Sequence, residues 1–122
     1  MSDKLEFRVV GTQKYTKAVA IDLPEFGASH VYQIFAAAGD VPDAVIGQVT
    51  FQKGPIKEHG VNGCHNEDLI AIVIDRLTGF QTTDFKCREN ALALTKLEEA
   101  LHWLNHRTKA RENRGVEGTH KI

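Results

Sequence analysis

Arg107, Arg111 and Arg114 stand at spacings of four and three near the end of a long helical pattern. A helix continued through them sets the three guanidinium groups close together. Forks grouped in this way suit a phosphate-bearing ligand, because each grips oxyanions through paired, charge-assisted hydrogen bonds. Gly115-Val-Glu-Gly-Thr119 follows directly. Its glycines accept backbone conformations that other residues resist. The segment can therefore fold back, bringing main-chain amides and the Thr119 hydroxyl toward a bound anion. The competing explanation is a solvated basic helix end that complements the helix dipole, followed by a frayed tail. Spacing alone leaves both open, and Arg114 and Lys109 fit the second better. Glu117 is the odd member, since a carboxylate beside phosphates is unfavourable. It suits ribose hydroxyls, or pairing with an arginine.

No catalytic apparatus accompanies these residues. The chain has no Walker loop, no GxGxxG and no paired HD motif, so a nucleotide hydrolase has nothing to work with. Cys64-His65, His102 and His106 lack the CxxC spacing of a zinc site. The expectation is a binding protein, not an enzyme, with no metal and no cofactor. Two cysteines without a secretory pattern read as reduced thiols.

Charge narrows the ligand class. The 122 residues carry 15 Lys/Arg against 16 Asp/Glu. Residues 102–121 hold five of the basic and two of the acidic residues, a local +3, which leaves −4 for the rest. A near-neutral chain with one local positive strip favours a discrete anion site over a nucleic-acid polymer. No apolar run is long enough to span a bilayer.

The elements that must position the arginines are two amphipathic helices. Leu94, Leu97, Leu101 and Leu104 share one face of the helix that ends in the basic strip. Thr83 or Asp84 is expected to cap it, and it runs to about Asn113. The preceding helix, capped by Asn62 or Asn66, has Glu67 and Asp68 in its first turn and ends near Gln81. Its stripe of Leu69, Ile70, Val73, Ile74, Leu77 and Phe80, widened by Ile72, exceeds what one partner helix needs. The excess is expected to bury against the sheet or another copy. Before the hairpin, residues 7–10, 18–23, 30–35 and 45–52 read as strands, with turns at Pro24–Gly27 and Gly39–Asp43. The fold class is α+β: a small N-terminal antiparallel sheet over residues 1–62, then an antiparallel helical hairpin with a ligand-binding tail over 63–122.

The stretches Gly54-Pro-Ile-Lys-Glu-His-Gly-Val-Asn-Gly63, Asn66–Gln81, Phe85–Leu94 and Arg107–His120 resemble the phage-encoded immune-signal sponges. These comprise the first type of Thoeris anti-defence protein and the related anti-CBASS proteins, which share such a hairpin. Arg114-Gly-Val-Glu-Gly-Thr-His120 is the most specific part, and the N-terminal sheet makes the anti-Thoeris type the nearer resemblance. The resemblance implies sequestration of cyclic ADP-ribose isomers, with the signal held intact, in the cytoplasm of the infected bacterial host. It also implies a second site for cyclic di- or trinucleotides in some members, and a homo-oligomer, either a dimer or a trimer of dimers.

Residue by residue, the resemblance implies that Phe80 stacks on adenine, that Asn90 reads a base edge or ribose hydroxyl, and that Arg107 and Arg111 bind the pyrophosphate. Arg114 would serve a second anionic site near a symmetry axis. Gly115, Val116, Glu117 and Thr119 would close over the ligand. Read without it, Phe80 is the last core residue of its stripe and Asn90 a helix-start residue. Trp103 packs at an interface or stacks on a base. Gly54–Lys57 and His59–Asn62 either line the pocket or form a structural linker. A rival function is a self-assembling structural protein without a small-molecule ligand.

Overall fold

The computed structural model describes residues 7–37 and 44–122. The expected turn at Gly39–Asp43 lies outside the described residues. The chain divides into two compact units, one up to Cys64 and one from His65 onward.

The first unit is a four-stranded antiparallel meander in the order β1-β2-β3-β4, with β1 Arg8–Thr12, β2 Thr16–Ala20, β3 Val31–Ala36 and β4 Val45–Thr50. Alternation places Val9 opposite Val19 and Lys17 opposite Phe35. Val19 and Ala20, on central strand β2, are buried. β2 stops short of the expected Leu23 because Asp22 captures main-chain donors that would otherwise seek a ladder. Its carboxylate accepts the His30 amide at 2.9 and 3.1 Å and the Val31 amide at 3.1 Å. Partial burial opposes ionisation there, but these amide bonds outweigh it and hold the Asp22 carboxyl below its usual range. The chain reverses at Phe26-Gly27, both with positive φ (56° and 96°), between the mutually bonded Glu25 and Ala28. A two-residue reversal of the primed type needs that pair of conformations.

Residues 51–64 close a loop around the short helix α1 (Ile56–His59). The Gln52 side chain donates to Gly54 O and Gly60 O and accepts the Asn62 amide. The Asn62 side chain in turn bonds both main-chain groups of Lys53, at 2.8 Å each. Gly63 is obligatory: a Cβ there would lie 2.4 Å from the Phe51 carbonyl carbon.

The second unit pairs α2 (Asn66–Gln81) with α3 (Arg88–Arg114). The cap of α2 is His65, not Asn62 or Asn66. The His65 amide donates to Asp68 at 2.8 Å, so the first-turn carboxylate satisfies a donor at the helix start. The cap of α3 is Cys87, whose sulfur accepts the Asn90 amide at 3.4 Å. Thr83 is instead used by the loop: its hydroxyl donates to Phe80 O and accepts the Phe85 amide. Gln81 closes that loop, its side-chain amide bonding both main-chain groups of Cys87.

Leu69, Ile70, Ile74 and Leu77 of α2, like Leu94, Leu97, Leu101 and Leu104 of α3, are half-buried. Ile72 remains 63% exposed and Trp103 61%. At 27 residues against 16, α3 outruns α2, by about 16 Å at the usual helical rise. Arg107, Arg111 and Arg114 stand on this overhang.

Candidate functional site

The sequence-predicted residues fall into two groups at opposite ends of the hairpin. Phe80 and Asn90 flank the α2–α3 loop. Arg107 to Thr119 occupy the overhang and the segment after it. Asn90 and Arg107 are 17 positions apart on one continuous helix, or about 25 Å.

At the loop end, Phe80 is half-buried. The Arg76 guanidinium lies 5.0 Å from its ring centroid, and Phe85 approaches edge-on at 6.4 Å. Arg76 is one helical turn before Phe80, so the i,i+4 spacing was the signal that reading the sequence for apolar stripes overlooked. Its charge over the ring is a cation–π contact. Phe85 is 75% exposed, so this end presents an aromatic corner to solvent. The Asn90 side-chain amide has no hydrogen-bond partner among the described residues.

At the far end, α3 stops at Gly115, which adopts the left-handed conformation (φ 75°). The Gly115 amide donates to Glu112 O and the Val116 amide to Arg111 O, both at 3.0 Å. This double bond with a glycine turn is the Schellman ending. It reverses the chain as the glycines predict, and it buries Val116. Gly118 repeats the positive φ at 82°.

The returning segment closes on Arg111, which is only 7% exposed. Nε donates to Glu117 Oε1 at 2.8 Å. Nη2 donates to Val116 O at 2.9 Å and Thr119 O at 3.1 Å. Nη1 donates to Lys121 O and, at 3.3 Å, to Ile122 O. Glu117, the odd carboxylate of the sequence, is thus the counter-charge of a buried arginine. Thr119 directs its hydroxyl to Val116 O. Arg114 donates to Ile122 O at 2.9 Å and is exposed. Arg107 is exposed and has no hydrogen bond or ion pair among the described residues. Beside it on α3, Trp103 sits between His102 and His106, whose rings meet it edge-on at 5.5 and 5.7 Å.

The sheet unit carries a separate shallow cavity of about 290 Å³, lined by Phe7, Val9, Lys17, Val19 and Phe35. It includes none of the sequence-predicted site residues. Among the described residues no group of three or more His, Cys, Asp and Glu is placed to hold a metal ion, and no helix is long and apolar enough to cross a membrane.

The helical hairpin places the chain in a known class. Residues 45–109, more than half of the chain, match the family described as "Acb2/Tad1, hairpin domain", and the chain belongs to it. It is also similar to "Thoeris anti-defense 1" of Bacillus phage SBSphiJ7, with 68% identity over 73 residues. That match covers 60% of this chain and 51% of the phage protein, so the chain aligns with about half of its relative's length.

Proposed function

We propose that the protein is a non-catalytic sponge that sequesters cyclic ADP-ribose-type immune signals, glycocyclic ADP-ribose in particular, and so blocks Thoeris defence. It acts in the cytoplasm of the infected bacterial host. The observation that carries this reading is the division of the hairpin into two complementary ends. One end offers an aromatic ring and a free amide for a base and ribose. The other offers an unpaired guanidinium, Arg107, for the pyrophosphate.

Separated by about 25 Å on one helix, the two ends make a site only when two hairpins pack antiparallel. Phe80 and Asn90 of one copy then face Arg107 of the next. The exposed apolar residues Ile72, Val73, Leu92 and Trp103 supply the surface for that pairing. A dimer holds two such sites. A trimer of dimers adds a symmetry axis at which Arg114 serves a second site for cyclic di- or trinucleotides and extends the action to CBASS. Tight holding of the ground state gives no catalysis, so a sponge gains nothing from reactive groups.

Calorimetric titration with glycocyclic ADP-ribose isomers and a panel of cyclic di- and trinucleotides tests the reading, followed by heating and recovery of the ligand. Tight binding with intact release is expected. Degraded ligand would replace the sponge with an enzyme. The same apolar seam also favours a self-assembling structural protein, and that reading wins if no panel member binds or raises the melting temperature.

A further inference from the structure

The guanidinium of Arg111 has five N–H donors, and five acceptors surround it: Glu117 Oε1 and the main-chain oxygens of Val116, Thr119, Lys121 and Ile122. A phosphate could reach Arg111 only by displacing carbonyls. Those carbonyls would then be left unpaired beside a buried charge, which is costly. The arrangement also explains the residue type. A lysine carries three donors on one nitrogen and cannot span acceptors spread over seven residues of chain.

The consequence for the backbone is specific. With its carbonyls gathered on Arg111, the 115–122 segment leaves the Glu117 and Gly118 amides with no acceptor among the described residues. Successive free amides at a glycine turn make an anion-binding concavity.

We infer that Arg111 is a positioning residue: it holds the 115–122 segment as a fixed strap that presents the Glu117 and Gly118 amides to a phosphate, while Arg107 supplies the direct charge. Glu117 is part of the same device, since it neutralises the arginine that the strap buries. The strap itself is independent of the proposed function, and only the phosphate it presents to rests on that reading.

The test compares wild type with Glu117→Ala and Arg111→Lys in the full chain, by amide hydrogen exchange and by titration with glycocyclic ADP-ribose. Exchange in α2 and the assembly mass check that each variant is folded. In both variants the Val116 and Thr119 amides should exchange about tenfold faster or more, with α2 unchanged. Affinity should fall about tenfold or more with no change in assembly mass. A residue that merely stabilised the fold would not move affinity at constant α2 protection and mass. If Arg111 were itself the phosphate ligand, Glu117→Ala would free a guanidinium and tighten binding, and that result overturns the inference. So does wild-type exchange in Arg111→Lys. A wild-type protein that ignores glycocyclic ADP-ribose, but whose strap still depends on Arg111, would sink the proposed ligand and leave the strap standing.

Discussion

Each unit of the molecule is organised around one charged side chain that collects main-chain groups, and the two are opposite in sign. In the sheet, Asp22 gathers the amides of His30 and Val31. In the hairpin, Arg111 gathers carbonyls from Val116, Thr119, Lys121 and Ile122. The two differ in where they act and whether they can be switched off. Asp22 sits where the long β2–β3 connection enters central strand β3, so its bonds belong to the cooperative core of that unit. Arg111 holds the segment that follows α3 against the last turns of that helix. A carboxylate is neutralised by acid, whereas a guanidinium stays charged. In the sheet, then, the collecting group itself can be neutralised by acid; in the hairpin it cannot.

Asp22→Ala should be the largest break, costing about 2–3 kcal/mol of unfolding free energy because it removes charge-assisted bonds and strands two amides. Chemical denaturation measures it. A loss no larger than that of a surface substitution would undo the comparison. Arg111→Ala should leave the denaturation midpoint nearly unchanged while freeing the 115–122 segment.

Arg107→Ala comes next, and it separates the arginine that is free from the one that is engaged. It should weaken glycocyclic ADP-ribose by about 2 kcal/mol, some thirtyfold, as expected for a lost charged hydrogen bond. Phe80→Ala should also weaken binding. Because the proposed site is shared between copies, mixing the Phe80→Ala and Arg107→Ala proteins should restore one intact site per mixed dimer. Calorimetry on re-equilibrated mixtures reads this out, and absence of any recovery would place both residues in one chain's pocket.

Acid titration sharpens the contrast further. The His30 and Val31 amides hold the Asp22 carboxyl below its ordinary value. Its contribution is therefore complete above the unfolded pKa of about 3.9 and is lost as pH falls through the lower, folded value. Thermal melts from about pH 6 to about pH 2 should show a decline that is shallower in Asp22→Asn. Arg111→Lys should not alter the shape of that decline. The smallest effect is expected for Arg76→Ala, about 0.5–1 kcal/mol from an exposed cation–π contact with Phe80, measurable as a small rise in the dissociation constant.

Much of the architecture was legible along the chain. Alternating strands, Pro24–Gly27 as a turn and the leucine ladder of α3 report local rules of period and conformation, and the structure follows them. The caps were less legible. His65 and Cys87 took positions that Asn66 and Thr83 also suited, because the end of a helix depends on where the incoming chain arrives. The Schellman ending at Gly115 was foreshadowed by glycine. The partner of Glu117 was narrowed to a ribose or an arginine, and distance in space chose the arginine.

Reading along the chain shows which residues are charged, apolar or free to turn, and hence the α+β order, the amphipathic helices and the local positive strip. These follow from side-chain chemistry and spacing within a few turns of chain. How three similar arginines differ in their partners emerges only once the chain is folded. Arg107 stays free, Arg114 takes one carbonyl and Arg111 is enclosed. The periodicity that set them on neighbouring turns cannot distinguish them, because hydrogen-bond saturation depends on where a returning segment places its oxygens.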